Sequence, residues 1–319
     1  MRRGVLTALA ILFGTLSAFA QDWPTKSVRI IVPFAAGATP DLVARLIADY
    51  LHDKLGQPFI VENKPGASGN TGTDAVAKAD PDGSTIGVSI GGPLAINTLL
   101  FSNLPYDPKK DLALITMLVA QPSALAVNAS LGVKNTAELI DLIKRNPGKY
   151  TYGSIGTGSL SQLAMEAIAL KAGTKLVHVP YPSSPQAIQA LMRNDVQMVC
   201  LPAISVTPQL AGGAIKMLAV STAGRSALLP DVPTLKEAGI DVEADAWSGL
   251  VAPAGVPEAM IDRINHEVAG AITSRAIREK LTAQLMEPIP DTPAQFRAHI
   301  DADLARWAPV IEAANIKIN

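Results

Sequence analysis

Residues 28–45 combine, in order, a run of β-branched apolar residues, a loop of small residues and the start of an amphipathic helix. The run Val28–Val32 predicts a strand that is buried on both faces. Thr39 stands where an N-cap is needed, Pro40 suits the first helical position, and Asp41 brings negative charge to the positive end of the helix. Because the loop has few side chains, its backbone N–H groups and the helix N-terminus can approach an anion. An ordinary strand-to-helix turn is the alternative.

The alternation of short apolar runs with helical patterns continues along the chain. Predicted strands at 59–62 and 85–90 are each followed by a helical pattern, and the same order returns from residue 150 onward. Strands that alternate with helices at this spacing favour a parallel sheet with right-handed crossovers.

Two long apolar stretches, 114–127 and 244–251, interrupt this alternation and predict segments that cross between two lobes. The lobes are then residues 21–123 with 245–319 (lobe 1) and residues 124–244 (lobe 2). A chain of 319 residues exceeds what one small core usually holds, which agrees with two lobes. The expected fold class is α/β, with two lobes that are each a mainly parallel sheet with helices on both faces.

Two crossings place a hinge and a cleft between the lobes. Ligands of such sheets bind outside the carboxyl ends of the strands. The loops at 33–39, 63–70, 91–93 and 154–159 follow predicted strands and are rich in Gly, Ser, Thr or Ala. We therefore expect these loops to surround one cleft.

The first 20 residues have the pattern of an export signal. Arg2 and Arg3 form its basic region, an apolar core follows, and Ala18-Phe19-Ala20 is a small-x-small cleavage site. The apolar core is too short to cross a membrane, and the cysteine that a lipid-anchored receptor needs at the cleavage point is absent. Cleavage after Ala20 predicts an exported protein of the bacterial periplasm.

Composition argues against several function classes. A net charge of −1 and an aromatic content of 4% argue against a nucleic-acid partner. Cys200 is the only cysteine and lies in an apolar run, so an intramolecular disulfide and a thiolate metal site are excluded. The four histidines show no metal-ligand spacing, and no base stands beside a nucleophile in a known motif. We expect no cofactor, no metal and no enzymatic activity.

The stretch Ser154-Ile155-Gly156-Thr157-Gly158-Ser159-Leu160-Ser161-Gln162 is a second candidate anion cradle. Hydroxyls and free N–H groups at a helix start can hold a carboxylate without Arg or Lys. A dinucleotide fingerprint needs a third glycine where Ser161 stands, and no Gly-Lys-Ser/Thr follows as in a Walker loop. A plain helix N-cap is the alternative.

Two further residues have both a functional and a structural interpretation. His178 follows Val177 in a predicted strand, and we expect a core histidine with a hydrogen-bond partner rather than a ligand of a metal. Trp247 lies at the predicted second crossing, where it either walls the cleft or belongs to the core.

Specific motifs are distributed along nearly the whole mature chain. The earlier ones are Val32-Pro33-Phe34-Ala35-Ala36-Gly37, Val61-Glu62-Asn63-Lys64-Pro65-Gly66-Ala67, Pro81-Asp82-Gly83 and Leu104-Pro105-Tyr106-Asp107-Pro108. The later ones are Tyr152-Gly153-Ser154, His178-Val179-Pro180-Tyr181, Leu229-Pro230-Asp231-Val232-Pro233-Thr234 and Ala252-Pro253-Ala254-Gly255. In this order, the combination resembles the Bug-type solute receptors of tripartite tricarboxylate transporters.

The resemblance implies a type II periplasmic-binding-protein fold whose two lobes close on a small organic carboxylate. In such receptors the carboxylate groups are held largely by backbone N–H groups, hydroxyls and water. Carried over to this chain, the resemblance indicates the ligand-binding residues Phe34, Ala35, Ala38, Thr39, Asp41, Ser68, Gly69, Thr157, Ser159 and Gln162. It also implies a monomer that delivers its ligand to membrane permease subunits.

The chain departs from the family pattern around the expected cleft. Ala38 replaces the second glycine that is usual in the first loop, Gln162 stands where histidine is frequent, and Gln197 stands where aspartate is frequent. The ligand therefore cannot be taken over from a relative. A receptor that reports its liganded state to a signalling partner, and an enzyme of the same fold that uses Cys200 or His178, remain alternatives.

Overall fold

The structure of the protein is a computed structural model that describes residues 23–318. The predicted export signal and its cleavage site after Ala20 lie outside these residues. No helix within the described range is long and apolar enough to span a membrane. The described chain forms one sheet of six strands and one of five, and helices cover both faces of each.

The strands divide between the two sheets in a simple pattern. Within the described residues they are, in chain order, β1 (Val28–Val32), β2 (Phe59–Asn63), β3 (Thr85–Ile90), β4 (Leu112–Gln121), β5 (Ser123–Asn128), β6 (Thr151–Ser154), β7 (Val177–Pro180), β8 (Met198–Pro202), β9 (Ile215–Val220), β10 (Ala246–Pro253) and β11 (Glu287–Pro288). The first sheet has the spatial order β11-β4-β10-β3-β1-β2, and the second has the order β7-β6-β8-β5-β9.

Both sheets are mixed. β1 pairs in parallel with β2 and β3, and β6 pairs in parallel with β7 and β8, as the strand–helix alternation predicts. β10 runs antiparallel to β3 and β4, and β5 runs antiparallel to β8 and β9. The chain reaches β5 and β10 from the other sheet, and each becomes an interior strand that runs opposite to its two neighbours. The expected parallel part of each sheet is confirmed, and the crossing strands add an antiparallel part.

The helices cover the sheets with their apolar faces. In chain order they are α1 (Thr39–Leu55), α2 (Asn70–Ala77), α3 (Asn97–Leu100), α4 (Thr136–Lys144), α5 (Leu160–Ala172), α6 (Ser184–Met192), α7 (Ala203–Val206), α8 (Glu258–Thr273), α9 (Arg275–Thr282) and α10 (Pro293–Ala313). On β1, Ile30 and Val32 face the cluster built with α1 and α8, whereas Ile31 faces the cluster built with α2 and α10. The predicted burial of β1 on both faces is confirmed. Each fully buried side chain of this kind contributes about 1.5–3 kcal/mol.

The second sheet is buried in the same two-sided way. On β8, Met198 and Cys200 face α4 and α5, whereas Val199 and Leu201 face α6 and α7. Cys200 is 1% exposed, and burial raises the pKa of its thiol to about 12. The thiol is therefore protonated at neutral pH and behaves as a small apolar side chain.

The chain crosses between the sheets twice. It leaves the first sheet at Gln121 and enters the second at Ser123, with only Pro122 between them. It returns through the segment 221–245, which precedes β10. Both crossings fall within or next to the stretches that the apolar pattern indicates.

Helix α10 contacts the cores on both sides of the hinge. Phe296 and Ile300, in its first half, pack in the cluster under the first sheet. Trp307 and Ile311, in its second half, pack in the cluster of the second sheet. The division into lobes therefore stays a prediction, in which α10 is the part of lobe 1 that reaches lobe 2.

Candidate functional site

The first loop of the candidate site, residues 33–38, is anchored by Asp41. Its Oδ2 accepts hydrogen bonds from the backbone N–H of Gly37 at 2.8 Å and from Nε of Arg45 at 3.0 Å. The residue is only 2% exposed. Burial acts to raise its pKa, but hydrogen bonds from Arg45, Gly37 and Asn63 outweigh this and lower the pKa. Asp41 is therefore an ionised group that holds the loop, with its oxygens occupied by the protein.

Asn63, the last residue of β2, ties the same loop to Asp41. Its Nδ2 donates to the carbonyl oxygen of Phe34 at 3.0 Å and to Oδ1 of Asp41 at 2.9 Å. Its Oδ1 accepts from Nη2 of Arg45 at 3.2 Å. Asn63 belongs to the predicted loop 63–70 but is not among the predicted ligand-binding residues, although a polar residue at the carboxyl end of a parallel strand is an available signal.

Helix α1 begins one residue earlier than predicted. Ala38 is the N-cap, with φ −69° and ψ 158°, and Thr39 is the first helical residue rather than the cap. No side chain caps this helix end, and the Asp41 carboxylate instead accepts the N–H of Gly37, one residue before the cap. The N–H groups of Ala35 and Thr39 have no hydrogen-bond partner within residues 23–318. They remain as donors beside the positive end of α1.

The second and third loops lie directly against the first. Residues 66–69 all have positive φ, which is rare for the two that are not glycine. A Cβ on Gly69 would lie 2.6 Å from Cγ of Pro93 and 2.8 Å from Cζ of Phe34, so only glycine fits there. The structure thus brings Phe34, Gly69 and Pro93 together in one group.

A polar network supports this group from the lobe interior. Oδ1 of Asn70 accepts from Nδ2 of Asn97 at 2.6 Å and from the hydroxyl of Tyr106 at 3.0 Å. Nδ2 of Asn97 also donates to the carbonyl oxygen of Ser68 at 3.2 Å. A positive φ costs about 1–3 kcal/mol for each of the two non-glycine residues, Ala67 and Ser68. The hydrogen bonds of the network offset part of this cost. The Ser68 side chain itself is exposed.

In lobe 2, the loop 155–159 joins β6 to α5 and is closed by its own side chains. Ser159 is the N-cap of α5: its Oγ accepts from the N–H of Gln162 at 3.4 Å and donates to the carbonyl oxygen of Gly156 at 2.6 Å. Oε1 of Gln162 accepts from the N–H of Gly158 at 2.7 Å. The alternative of a plain helix cap is therefore present in the structure. The side-chain oxygen of Gln162 already accepts a hydrogen bond within the loop. Thr157 is exposed at its tip.

Ser154 and His178 hold the start of this loop. Oγ of Ser154 lies 2.6 Å from Nε2 of His178 and accepts from the N–H of Gly156 at 3.1 Å. His178 stacks on Tyr152 at 5.1 Å between ring centroids, and burial lowers the pKa of its imidazole. His178 therefore has the expected hydrogen-bond partner, but it is half-buried on the edge strand β7 and is not a core residue.

Gly158 contacts two residues that the predicted division places in lobe 1. A Cβ at this position would lie 2.6 Å from Cδ1 of Leu100 and 2.7 Å from Cδ1 of Ile318. Ile318 in turn donates its N–H to the carbonyl oxygen of Leu100 at 3.1 Å. Within the described residues, no hydrogen bond joins the first-lobe loops to loop 155–159. The candidates therefore form a first-lobe group and a second-lobe group, and the second group contains Thr157, Ser159 and Gln162.

A cavity of about 520 Å³ lies at the hinge, between segments 222–226, 243–247 and 287–291 and helix α10. None of the predicted ligand-binding residues lines it. Its lining includes Glu243, Asp245, Glu287 and Asp291 against Arg225 and Arg306. No cluster in the described part of the chain has the arrangement of metal ligands. Because none of the predicted residues lines this cavity, the candidate ligand site stays at the loops.

Trp247 walls this hinge cavity and also supports the third loop. It is 5% exposed, and its Nε1 donates to Oδ2 of Asp303 at 2.7 Å. Its ring lies 3.1 Å from the point where a Cβ on Gly91 would stand. Trp247 is therefore a core residue that packs behind the loop at 91–93. The cavity that it lines is the one at the hinge.

Two α/β lobes joined by crossing strands, with small-residue loops at the carboxyl edges of both sheets, define the class of two-lobed solute-binding proteins. The profile of the tripartite tricarboxylate transporter family receptor matches residues 43–316. The chain therefore belongs to this receptor family, and the resemblance given by its motifs is confirmed.

Individual relatives agree with the family and the fold. The chain is 32% identical to the protein BugT of Bordetella pertussis over 99% of this chain and 97% of BugT. It is similar to the solved structure of R. palustris Rpa4515 with adipate, with a TM-score of 0.80, 34% identity, and coverage of 93% of this chain and 99% of that chain. It is also similar to MatC of Rhodopseudomonas palustris with bound malate, with a TM-score of 0.75, 30% identity, and coverage of 91% and 100%.

Proposed function

We propose that this protein is a periplasmic receptor that binds a small organic carboxylate between its lobes and delivers it to the permease of a tripartite tricarboxylate transporter. The observation that carries the proposal is the pair of N–H groups on Ala35, in the loop before α1, and on Thr39, at the start of α1, which lack partners within residues 23–318. Such groups at a helix N-terminus favour a negative charge. The relatives that hold adipate and malate support a carboxylate as the ligand class.

Recognition in this proposal uses dipoles rather than a cationic clamp. Arg45, in the second turn of α1, is paired with Asp41 at 3.0 Å and does not offer a free charge. Hydroxyl groups stand at the candidate positions Thr39, Ser68 and Thr157, and their side chains can donate to a carboxylate. Ordered water can complete the contacts where the loops do not reach the ligand.

Ligand capture in this proposal is a closure of the two lobes. Lobe 1 (residues 21–123 and 245–319) and lobe 2 (residues 124–244) would rotate about the crossings at Pro122 and in segment 221–245, and α10, which packs in both cores, would bend or move with lobe 2 in its second half. Closure would bring the candidates of lobe 2 to a ligand that is already held by the first loop. A dicarboxylate would then meet a helix N-terminus at each end. We propose that the receptor is a monomer.

The test begins with native mass spectrometry of the protein purified from the periplasm, to detect a bound small molecule. Isothermal titration calorimetry follows with adipate, malate, a monocarboxylate, an organic amine and a neutral sugar. We expect binding of at least one carboxylate with one site per monomer, and no binding of the amine or the sugar. Binding of the amine alone, or of a nucleotide or metal ion, would contradict the proposal. Loss of carboxylate uptake in a strain without the gene separates transport from signalling.

A further inference from the structure

We infer that Asn63 is a positioning residue of the ligand site: its side-chain amide fixes the Phe34–Ala35 peptide so that the Ala35 N–H faces the cleft. The inference rests on the proposed function, because it assigns a task within the carboxylate site. Asn63 is not among the candidate ligand residues, and in our view it acts through the backbone of the first loop.

The side chain of Asn63 has one possible orientation. Its Nδ2 donates to the carbonyl oxygen of Phe34 at 3.0 Å and to Oδ1 of Asp41 at 2.9 Å, so both amide hydrogens have an acceptor. Its Oδ1 accepts from Nη2 of Arg45 at 3.2 Å. A flipped amide would place its oxygen against a carbonyl and a carboxylate and its nitrogen against a guanidinium. Three contacts therefore specify one orientation.

The planar trans peptide transmits this orientation to the next residue. In a trans peptide the carbonyl oxygen and the N–H of the following residue point in opposite directions. Because the Phe34 carbonyl points at Asn63, the Ala35 N–H points away from β2. Ala35 is exposed, and its N–H has no partner within residues 23–318. The donor is thus presented on the open side of the loop.

The peptides that follow Ala35 in the loop have hydrogen-bond partners of their own. The N–H of Ala38 donates to the carbonyl oxygen of Ala35 at 3.2 Å, and the N–H of Gly37 donates to Asp41 at 2.8 Å. Asn63 itself is held in register by β1, since it pairs with Val32. Asn63 therefore holds the Phe34–Ala35 peptide, whereas the next two peptides are held by Ala38 and Asp41.

Asn63→Asp is the isosteric test variant, because it keeps the size of the side chain and removes both donors. A carboxylate cannot donate to the Phe34 carbonyl, but it can accept the Ala35 N–H, so the peptide is expected to turn over. Asn63→Ala removes the anchor without adding an acceptor. Asn265→Ala is the matched control: this half-buried asparagine of lobe 1 also donates to two backbone carbonyls, those of Ile115 and Asp291, at 2.7 and 2.8 Å.

Affinity for adipate and malate is measured by calorimetry on the full mature chain, and stability by urea unfolding. We expect Asn63→Asp and Asn63→Ala to weaken binding at least tenfold, whereas Asn265→Ala changes it less than twofold at a similar loss of stability. Folded Asn63 variants with wild-type affinity would overturn the inference, while the proposed function would stand.

A second measurement keeps the two proposals apart. If the wild-type protein binds none of the carboxylates, the proposed function fails, and the crystal structure of Asn63→Asp then decides the inference alone. A Phe34–Ala35 peptide that is reversed in the variant supports the positioning role. A peptide unchanged from the wild-type protein overturns it.

Discussion

Trp247 and Asp303 are joined by a hydrogen bond of 2.7 Å from the indole Nε1 to the carboxylate Oδ2, although 56 residues separate them in the chain. Both residues are buried, at 5% and 4% exposure. Arg306 contacts the other carboxylate oxygen of Asp303 at 2.7 Å and Glu243 at 3.0 Å. Helix α10 is thereby tied to both the crossing strand β10 and the crossing segment before it.

Asp303→Ala is therefore expected to destabilise the protein by about 2–4 kcal/mol, because it leaves a buried indole N–H without an acceptor and removes a partner of Arg306. The free energy of unfolding in urea measures the effect. Asp301→Ala is the control on the same helix, since Asp301 forms an exposed ion pair with Lys109. Its effect is expected to stay within about 0.5 kcal/mol. Equal losses in the two variants would contradict the role of the buried pair.

Asp245→Asn is expected to flatten the pH dependence of stability. Burial, together with the nearby Glu243, raises the pKa of Asp245 from 3.8 to about 8, while Arg306 acts in the opposite direction. The folded state therefore holds a proton that the unfolded state has lost, and stability falls as the pH rises from about 4 to about 8. The neutral amide does not ionise, so the variant should gain stability relative to wild type at pH 8, by about 1–3 kcal/mol.

The measurement is urea unfolding of both proteins at pH 5 and at pH 8. The difference between variant and wild type isolates Asp245 from Glu243, Glu287 and Asp303, which remain in both proteins. Asp241→Asn, an exposed change in the same segment, should follow the wild-type profile. A gain that is the same at both pH values would count against a buried neutral carboxyl.

The parts of the fold that follow from local pattern could be predicted from the sequence. The apolar run of β1, the bare loop after it and the amphipathic α1 depend on neighbouring residues, and the Ser159 cap depends on a residue three positions away. The contacts of Asn63 with Phe34 span 29 residues, and those of Trp247 span 56. Such pairs need the sheet register and the hinge before they can be recognised, so the sequence alone did not indicate them.

The predicted Thr39 cap shows the same limit. Thr39 has the right chemistry for a cap, but the Asp41 carboxylate accepts the N–H of Gly37 instead. A pattern of residue types does not distinguish these two solutions, because a threonine and an aspartate near a helix start can each accept a nearby backbone N–H. The acidic hinge cavity was likewise not predicted, since its lining comes from segments 222–226, 243–247 and 287–291.

Thr39→Ala and Ser159→Ala are expected to separate binding from stability. The Thr39 hydroxyl has no hydrogen-bond partner within residues 23–318, so its loss should change the free energy of unfolding by less than about 0.5 kcal/mol. The Ser159 hydroxyl caps α5 and donates to Gly156, so its loss should cost about 1 kcal/mol. Under the proposed function, both changes should weaken carboxylate binding by roughly three- to tenfold, as measured by calorimetry. Unchanged affinity in both variants would remove these residues from the site.

Gly158→Ala tests the contact between the lobes, and Gly213→Ala is its matched control. Both glycines adopt left-handed backbone, with φ +76° and +69°, so each substitution carries a similar conformational cost of about 1 kcal/mol. No atom lies within 4 Å of a Cβ on Gly213, whereas a Cβ on Gly158 would overlap Leu100 and Ile318. Gly158→Ala should therefore lose about 1–3 kcal/mol more in urea unfolding than Gly213→Ala. Hydrogen exchange should also show faster exchange of the Ile318 amide in Gly158→Ala, since its bond to Leu100 is displaced. Equal stability losses with unchanged exchange would mean that the 155–159 loop does not rest on lobe 1 in solution.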